Sequence, residues 1–149
     1  MRPVWIFLHL LGPVAWLGGA FASMIIGSAA RGGDAATLER TVRLQAALHR
    51  ALIGPGALLT VLTGLVLTMM LIRYDSAPSV WLMVMQGAGV VGGLLVLFLA
   101  VPTAMKLARL SPVGPTEPLF TALRRRQAIV GSLAGALGLL ALLAGAFYG

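Results

Sequence analysis

Residues 51–72 read ALIGPGALLTVLTGLVLTMMLI, and none of these 22 residues is Asp, Glu, Lys or Arg. About 20 apolar residues are enough to cross a hydrocarbon core that is roughly 30 Å thick. Three other runs of the chain are as long and equally free of charge. Because backbone groups in lipid must be hydrogen-bonded within their own segment, each run should be a helix. The predicted membrane spans are residues 4–27, 51–72, 79–102 and 127–148.

The composition is typical of a membrane protein and excludes several other classes. Of the 149 residues, 59% are hydrophobic and 10% are charged, whereas soluble domains carry roughly 25% charged residues. Aqueous globular, disordered and collagen-like chains are therefore excluded. The chain has no cysteine, which excludes disulfides and thiolate chemistry. We predict a single all-α integral membrane domain over residues 1–149, a polytopic four-transmembrane-helix bundle with short loops.

The basic residues are distributed unevenly between the two sides of this bundle. Nine of the eleven lie at the first and third loops, and only Arg2 and Arg73 lie on the opposite side. Cytoplasmic loops carry such an excess, so we expect a multi-pass protein of the inner (plasma) membrane with both termini outside, on the periplasmic side. The net charge of +7 then sets orientation and does not indicate nucleic-acid binding. The residues expected at the outer interface are Trp5, Tyr74, Trp81 and Tyr148.

Two cytoplasmic segments are predicted to extend helices beyond the membrane, before the second and fourth spans. Asp34 is a residue type that caps helices, and it precedes a segment that runs into the second span. Residues 116–118, Thr-Glu-Pro, have the pattern of a helix start. Pro13 and Pro55 should bend their helices locally.

Small residues recur on one face of each predicted span. In lipid no hydrophobic force drives helices together, and small residues allow close backbone packing. We interpret the faces as packing surfaces; the alternative is that some of them admit a flat cofactor or a partner helix. The residues are Ala15, Gly19, Ser23 and Gly27, then Gly56, Thr60 and Gly64, then Gly89 and Gly93, and finally Gly131 and Gly135.

His9 is the main candidate for chemistry, because ionisable side chains within a membrane are costly and are usually functional. Apart from the interfacial tyrosines, it is the only ionisable residue within the predicted spans. Gln86 lies at a similar depth in the third span and could hold the second ring nitrogen of His9 by a hydrogen bond. His49 lies roughly 20 Å away in depth, so the two histidines cannot ligate one iron.

Four methionines lie at the depth of His9, at the outer ends of the second and third spans. Thioethers suit cuprous copper, and a histidine with a methionine is a known ligand pair of haem iron. The alternative is that these are ordinary lipid-facing or gap-filling side chains. The candidate metal ligands are His9, Met69, Met70, Met83 and Met85.

Two motifs resemble a group of small bacterial membrane proteins. Residues 8–19 read LHLLGPVAWLGG, and residues 48–55 read LHRALIGP, followed by Thr60 and Gly64. They are similar to the first two spans of the HemJ-like protoporphyrinogen oxidases and the CopD-like copper-resistance proteins. The resemblance implies a four-helix bundle and a b-type haem at the first-span histidine, here His9. The third-span lysine of the HemJ-like group has no counterpart after Trp81, so protoporphyrinogen oxidase activity is not expected.

Three functions follow as alternatives. The chain could be a haem-binding or redox-linked protein that uses His9 and Gln86, a copper-handling protein, or a non-catalytic accessory or scaffold subunit of a larger membrane complex or homo-oligomer, with no cofactor. Three consecutive arginines before the fourth span either bind anionic lipid headgroups of the bilayer or only set the topology. They are Arg124, Arg125 and Arg126.

Overall fold

The computed structural model describes residues 2–72 and 79–148, and all regular structure in these ranges is helical. Four continuous rods are long and apolar enough to cross a membrane. The helices are α1 (Arg2–Ala29), α2 (Ala35–Leu48), α3 (Gly54–Ile72), α4 (Val80–Leu95), α5 (Val101–Leu107) and α6 (Glu117–Tyr148). The first rod is α1 and the last is α6, whereas the second joins α2 to α3 and the third joins α4 to α5.

The rods confirm the predicted all-α membrane fold, and each predicted span overlaps one of them. The expected outer loop at residues 73–78, with Arg73 and Tyr74, lies outside the described residues, and so does the side chain of Tyr148. Trp81, near the start of α4, stacks on Phe147 of α6 with ring centroids 4.9 Å apart. This contact joins two rods at the end of the bundle that also carries the N-terminus of α1.

Helix α1 packs mainly on α3, and α4 packs mainly on α6. The closest approach of α1 and α3 is at two glycines. A Cβ atom on Gly56 would lie 2.6 Å from the backbone nitrogen of Trp16, and one on Gly12 would lie 2.9 Å from the Gly56 carbonyl oxygen. Gly56 belongs to the predicted packing face of its span. Gly12 was not named in the prediction for α1, but it lies seven residues before Gly19 and therefore on the same helical face. Glycine is needed at both positions because the obstacle is backbone, which cannot move aside.

The prediction that small residues pack against a neighbouring helix is wrong for Gly131 and Gly135 of α6. No atom lies within 4 Å of a Cβ built on either residue, and both line a cavity. Helices α1 and α6 come into contact closer to the C-terminal end of α6, where a Cβ on Gly138 would lie 3.0 Å from Leu17 Cδ2. A helical spacing of glycines defines a face, but the arrangement of the rods decides whether that face is covered.

The second and third rods each contain one π-helical turn, where the helix is locally wider but not broken. The π-helical turns His49–Ile53 and Val96–Ala100 each end two residues before a proline, Pro55 or Pro102. A proline ring collides with the carbonyl group one turn back and lacks an N–H group, and a π turn is a local widening of the helix. A π turn thus precedes Pro55, where the sequence predicted a bend, and the π turn before Pro102 was not foreseen. Pro13, where a bend was also predicted, lies inside an α-helix without such a turn.

The basic side of the bundle, which carries Arg31 and Arg124, has the two predicted helical extensions. Asp34 caps α2 by accepting a hydrogen bond of 2.9 Å from the Thr37 amide, and bonds from the side chain and backbone of Thr37 hold the pKa of Asp34 below its usual range. Helix α6 begins at Glu117, as predicted. A cluster joins α2, α5 and α6 and consists of Val42, Leu107, Phe120 and Leu123.

Candidate functional site

His9 is held by a hydrogen bond that determines which ring nitrogen carries the proton. Its Nδ1 lies 3.0 Å from Thr63 Oγ1. The Thr63 hydroxyl donates its hydrogen to the Leu59 carbonyl oxygen, so in this arrangement Thr63 Oγ1 accepts a hydrogen bond from His9 Nδ1. A neutral imidazole with a protonated Nδ1 keeps its lone pair on Nε2. Nε2 is therefore the atom of His9 that could ligate a metal.

A glycine on α3 makes room for the His9 ring. A Cβ atom on Gly64 would lie 3.1 Å from His9 Cε1 and 3.6 Å from Nδ1. The ring thus occupies a cradle formed by Thr63 and Gly64, on the helix that α1 packs against. The sequence pattern indicated Gly64 only as a packing residue, and it did not indicate Thr63 as a partner of His9.

Gln86 has a different partner from the one considered at the sequence level. Its Nε2 donates to Thr68 Oγ1 at 2.8 Å, and the Thr68 hydroxyl donates to the Gly64 carbonyl oxygen at 2.8 Å. His9 and Gln86 are therefore attached separately to α3, His9 through Thr63 and Gln86 through Thr68. These bonds satisfy polar side chains within the membrane-spanning part of the bundle.

The four candidate methionines face different surroundings. Met69 and Met83 are 57% and 60% exposed, and Met70 is half-buried. The Sδ atom of Met85 lies 3.1 Å from where a Cβ on Gly145 would be, so it faces α6. Among the described residues no three His, Cys, Asp or Glu side chains are grouped as they would be in a metal centre, so a metal at His9 needs thioether, exogenous or macrocycle ligands.

A second polar group lies in the other half of the bundle, around His49. His49 is buried and is the first residue of a π turn. Its Nδ1 donates to the Gln45 carbonyl oxygen at 2.8 Å, and its Nε2 accepts from Gln127 Nε2 at 2.7 Å. Gln45 Nε2 donates to the Ser23 carbonyl oxygen at 2.9 Å. We call Ser23, Gln45, His49 and Gln127 the buried polar cluster; it connects α1, α2 and α6.

One atom of the buried polar cluster is left without a hydrogen bond. Gln127 is 9% exposed, and its Oε1 has no partner among the residues that the structure describes. A buried acceptor without a donor costs about 1–3 kcal/mol, and such atoms are rare in folded proteins. Gln127 is also one of the residues that line a cavity.

The cavity beside this cluster has a volume of about 640 Å³, within the range of about 300–1,000 Å³ found for small-molecule sites. His49, Gln127, Arg31 and Arg124 line it together with apolar residues of α1 and α6. Arg124 is half-buried, whereas Arg125 and Arg126 are exposed and do not line the cavity. Nothing in the sequence distinguishes the three consecutive arginines. They differ in burial because they point in different directions around α6.

Comparison with known proteins identifies a family of integral membrane proteins, which agrees with this architecture. Residues 4–145 match the family described as "Predicted integral membrane protein (DUF2269)". A search of curated proteins finds no match, and neither does a search of solved structures. The matched range contains all four apolar rods except their outermost residues. The chain therefore belongs to the DUF2269 family of integral membrane proteins.

Proposed function

We propose that this membrane protein binds a redox-active metal cofactor through His9 Nε2, with haem b as the first candidate. The observation that carries the proposal is the hydrogen bond from His9 Nδ1 to Thr63, whose hydroxyl is itself committed to Leu59. Metal-ligating histidines usually donate their other ring nitrogen in this way, which fixes the ring orientation. The similarity of residues 8–19 to HemJ-like and CopD-like first spans supports the same assignment.

The residues around His9 fit a ligand role. Thr63 would hold the imidazole plane, and Gly64 would keep the space that the ring needs, since a Cβ there would lie 3.1 Å from Cε1. Gln86 remains a candidate contact to the cofactor through its carbonyl oxygen, because its nitrogen is bonded to Thr68. A bound haem would supply one-electron transfer. We do not propose oxidation of protoporphyrinogen.

The test is the visible spectrum of the protein purified from its native membrane. We expect a Soret band that is lost in His9→Ala and retained in Leu10→Ala, which changes the next residue of α1, a side chain that is 55% exposed. Thr63→Val should keep the histidine but weaken cofactor retention, since the ring loses its acceptor. A variant His9→Ala with an unchanged spectrum, or absence of haem from both proteins, would refute the haem assignment.

Copper handling is the second candidate, because the same lone pair is available and Met69 and Met83 offer exposed thioethers. A colourless protein that binds cuprous copper, and loses it in His9→Ala, would support this function. A colourless protein without metal that co-purifies with other membrane subunits would instead support the accessory or scaffold function.

The location and lipid contacts are part of the same proposal. The nine-to-two distribution of basic residues supports the inner (plasma) membrane, with both termini outside and the basic side in the cytoplasm. Arg124, Arg125 and Arg126 then lie at the level of anionic lipid headgroups, where each arginine contributes about 1 kcal/mol of attraction.

A further inference from the structure

The cavity between α1 and α6 has three features that together describe a ligand. The first is the unpartnered Gln127 Oε1 in a side chain that is 9% exposed. His49 fixes the direction of this amide: its Nδ1 donates to a carbonyl oxygen, so its Nε2 can only accept, and Gln127 must present its nitrogen to it. The oxygen of Gln127, a residue of the cavity wall, is thus left without a donor among the described residues, and a ligand that carries a hydrogen-bond donor would supply one.

The second feature is positive charge at one end of the cavity. Arg31 and Arg124 both line it. The one acidic residue of α6, Glu117, lies two turns away from Arg124 and is not among the residues that line the cavity. Arg124 and Gln127 are three residues apart on α6, which places them on one face and separates them by about 4.5 Å along the axis. An anionic group at Arg124 is therefore about one turn away from a donor at Gln127.

The third feature is the apolar remainder of the cavity. Trp16, Phe21, Met24 and Leu139 also line it, and the last three of these side chains are exposed. Gly131 and Gly135 leave the α6 side open, with no atom within 4 Å of a built Cβ. This part suits one hydrocarbon chain that runs from the polar cluster toward the membrane interior.

We propose that the cavity binds a monoacyl glycerophosphate lipid, with its phosphate at Arg31 and Arg124, its free glycerol hydroxyl donating to Gln127 Oε1, and its single acyl chain between α1 and α6. In such a lipid the free hydroxyl lies between the phosphate and the acyl chain. Along α6, Arg124, Gln127 and the apolar wall of the cavity follow one another in the same order. A diacyl lipid has an ester at that position, which only accepts hydrogen bonds and cannot satisfy another acceptor.

The hydroxyl is tested with a matched pair of ligands and the unmodified protein. Binding of 1-acyl-glycerol 3-phosphate and of its 2-deoxy analogue to the full chain in detergent is measured by native mass spectrometry. We expect the deoxy compound to bind about tenfold more weakly, because a buried acceptor then loses its donor. Equal affinities, or tighter binding of the diacyl phosphatidic acid with the same chains, would overturn the proposal.

The protein side is tested with two neighbouring arginines. Arg124→Gln should weaken binding of the monoacyl phosphate about fivefold, whereas Arg125→Gln, a change at an exposed residue outside the cavity, should not. Equal losses in the two variants would show that only the general positive charge matters, and would refute the site.

A cavity-filling variant separates binding from folding. Gly135→Leu adds a side chain where no atom lies within 4 Å of its Cβ, so the thermal midpoint should be kept while the bound lipid is lost. Full binding by a folded Gly135→Leu protein would contradict the proposal. These measurements count lipid mass and use no chromophore, so they give their answer whether or not His9 carries a cofactor.

Discussion

The two histidines differ in their hydrogen-bond partners, although the Nδ1 atom of each is bonded to an oxygen. The Nδ1 atom of His9 is hydrogen-bonded to a threonine hydroxyl, whereas His49 uses both ring nitrogens within the protein. Along the second rod, His49 and the Thr63 partner of His9 are 14 residues apart, or roughly 20 Å. The two histidines therefore lie far apart along the bundle, as their positions in the sequence predicted.

At the residue scale, replacing Gln127 should lower the stability of the protein more than replacing Gln86, the other glutamine within the predicted spans. We expect Gln127→Leu to lower the free energy of unfolding by about 1 kcal/mol, because His49 Nε2 is then buried without a donor and the removal of the unpaired Oε1 offsets only part of that loss. The matched control is Gln86→Leu, which leaves the Thr68 hydroxyl bonded to the Gly64 carbonyl oxygen and should cost less. Thermal unfolding in detergent measures both, and a larger loss in Gln86→Leu would contradict the assignment.

At the scale of the elements, replacing a helical glycine by alanine should destabilise the protein where another helix is close and stabilise it where the space is open. Gly56→Ala should destabilise the protein by about 1–3 kcal/mol through overpacking, because its Cβ would lie 2.6 Å from the Trp16 backbone nitrogen. Gly131→Ala has no such obstacle and should stabilise the helix by about 0.5–1 kcal/mol, since alanine has the higher helix propensity. Similar thermal midpoints for the two variants would show that the rods do not cross as described.

At the scale of the whole molecule, the charge distribution predicts the orientation in the membrane. The chain has no cysteine, so single substitutions can be labelled without a background. In intact cells an impermeant maleimide should label Ser76→Cys, which lies outside the described residues, and should reach Val113→Cys only after lysis; Val113 is 55% exposed on the basic side. Labelling of Val113→Cys in intact cells, without labelling of Ser76→Cys, would reverse the orientation.

The sequence by itself determined the class, the number of rods and their approximate ends, because hydrophobic length, charge and capping residues such as Asp34 act locally. It also determined that His9 and His49 lie far apart, since helical rise converts residue number into depth. Only the tertiary structure decided which side chains meet across helices: His9 with Thr63, Gln86 with Thr68, and His49 with Gln127. Rotation and spacing of the rods set these contacts, and they depend on backbone approach at Gly12 and Gly56. For the same reason the uncovered face at Gly131 and Gly135, and with it the cavity, could not be foreseen from the spacing of small residues alone.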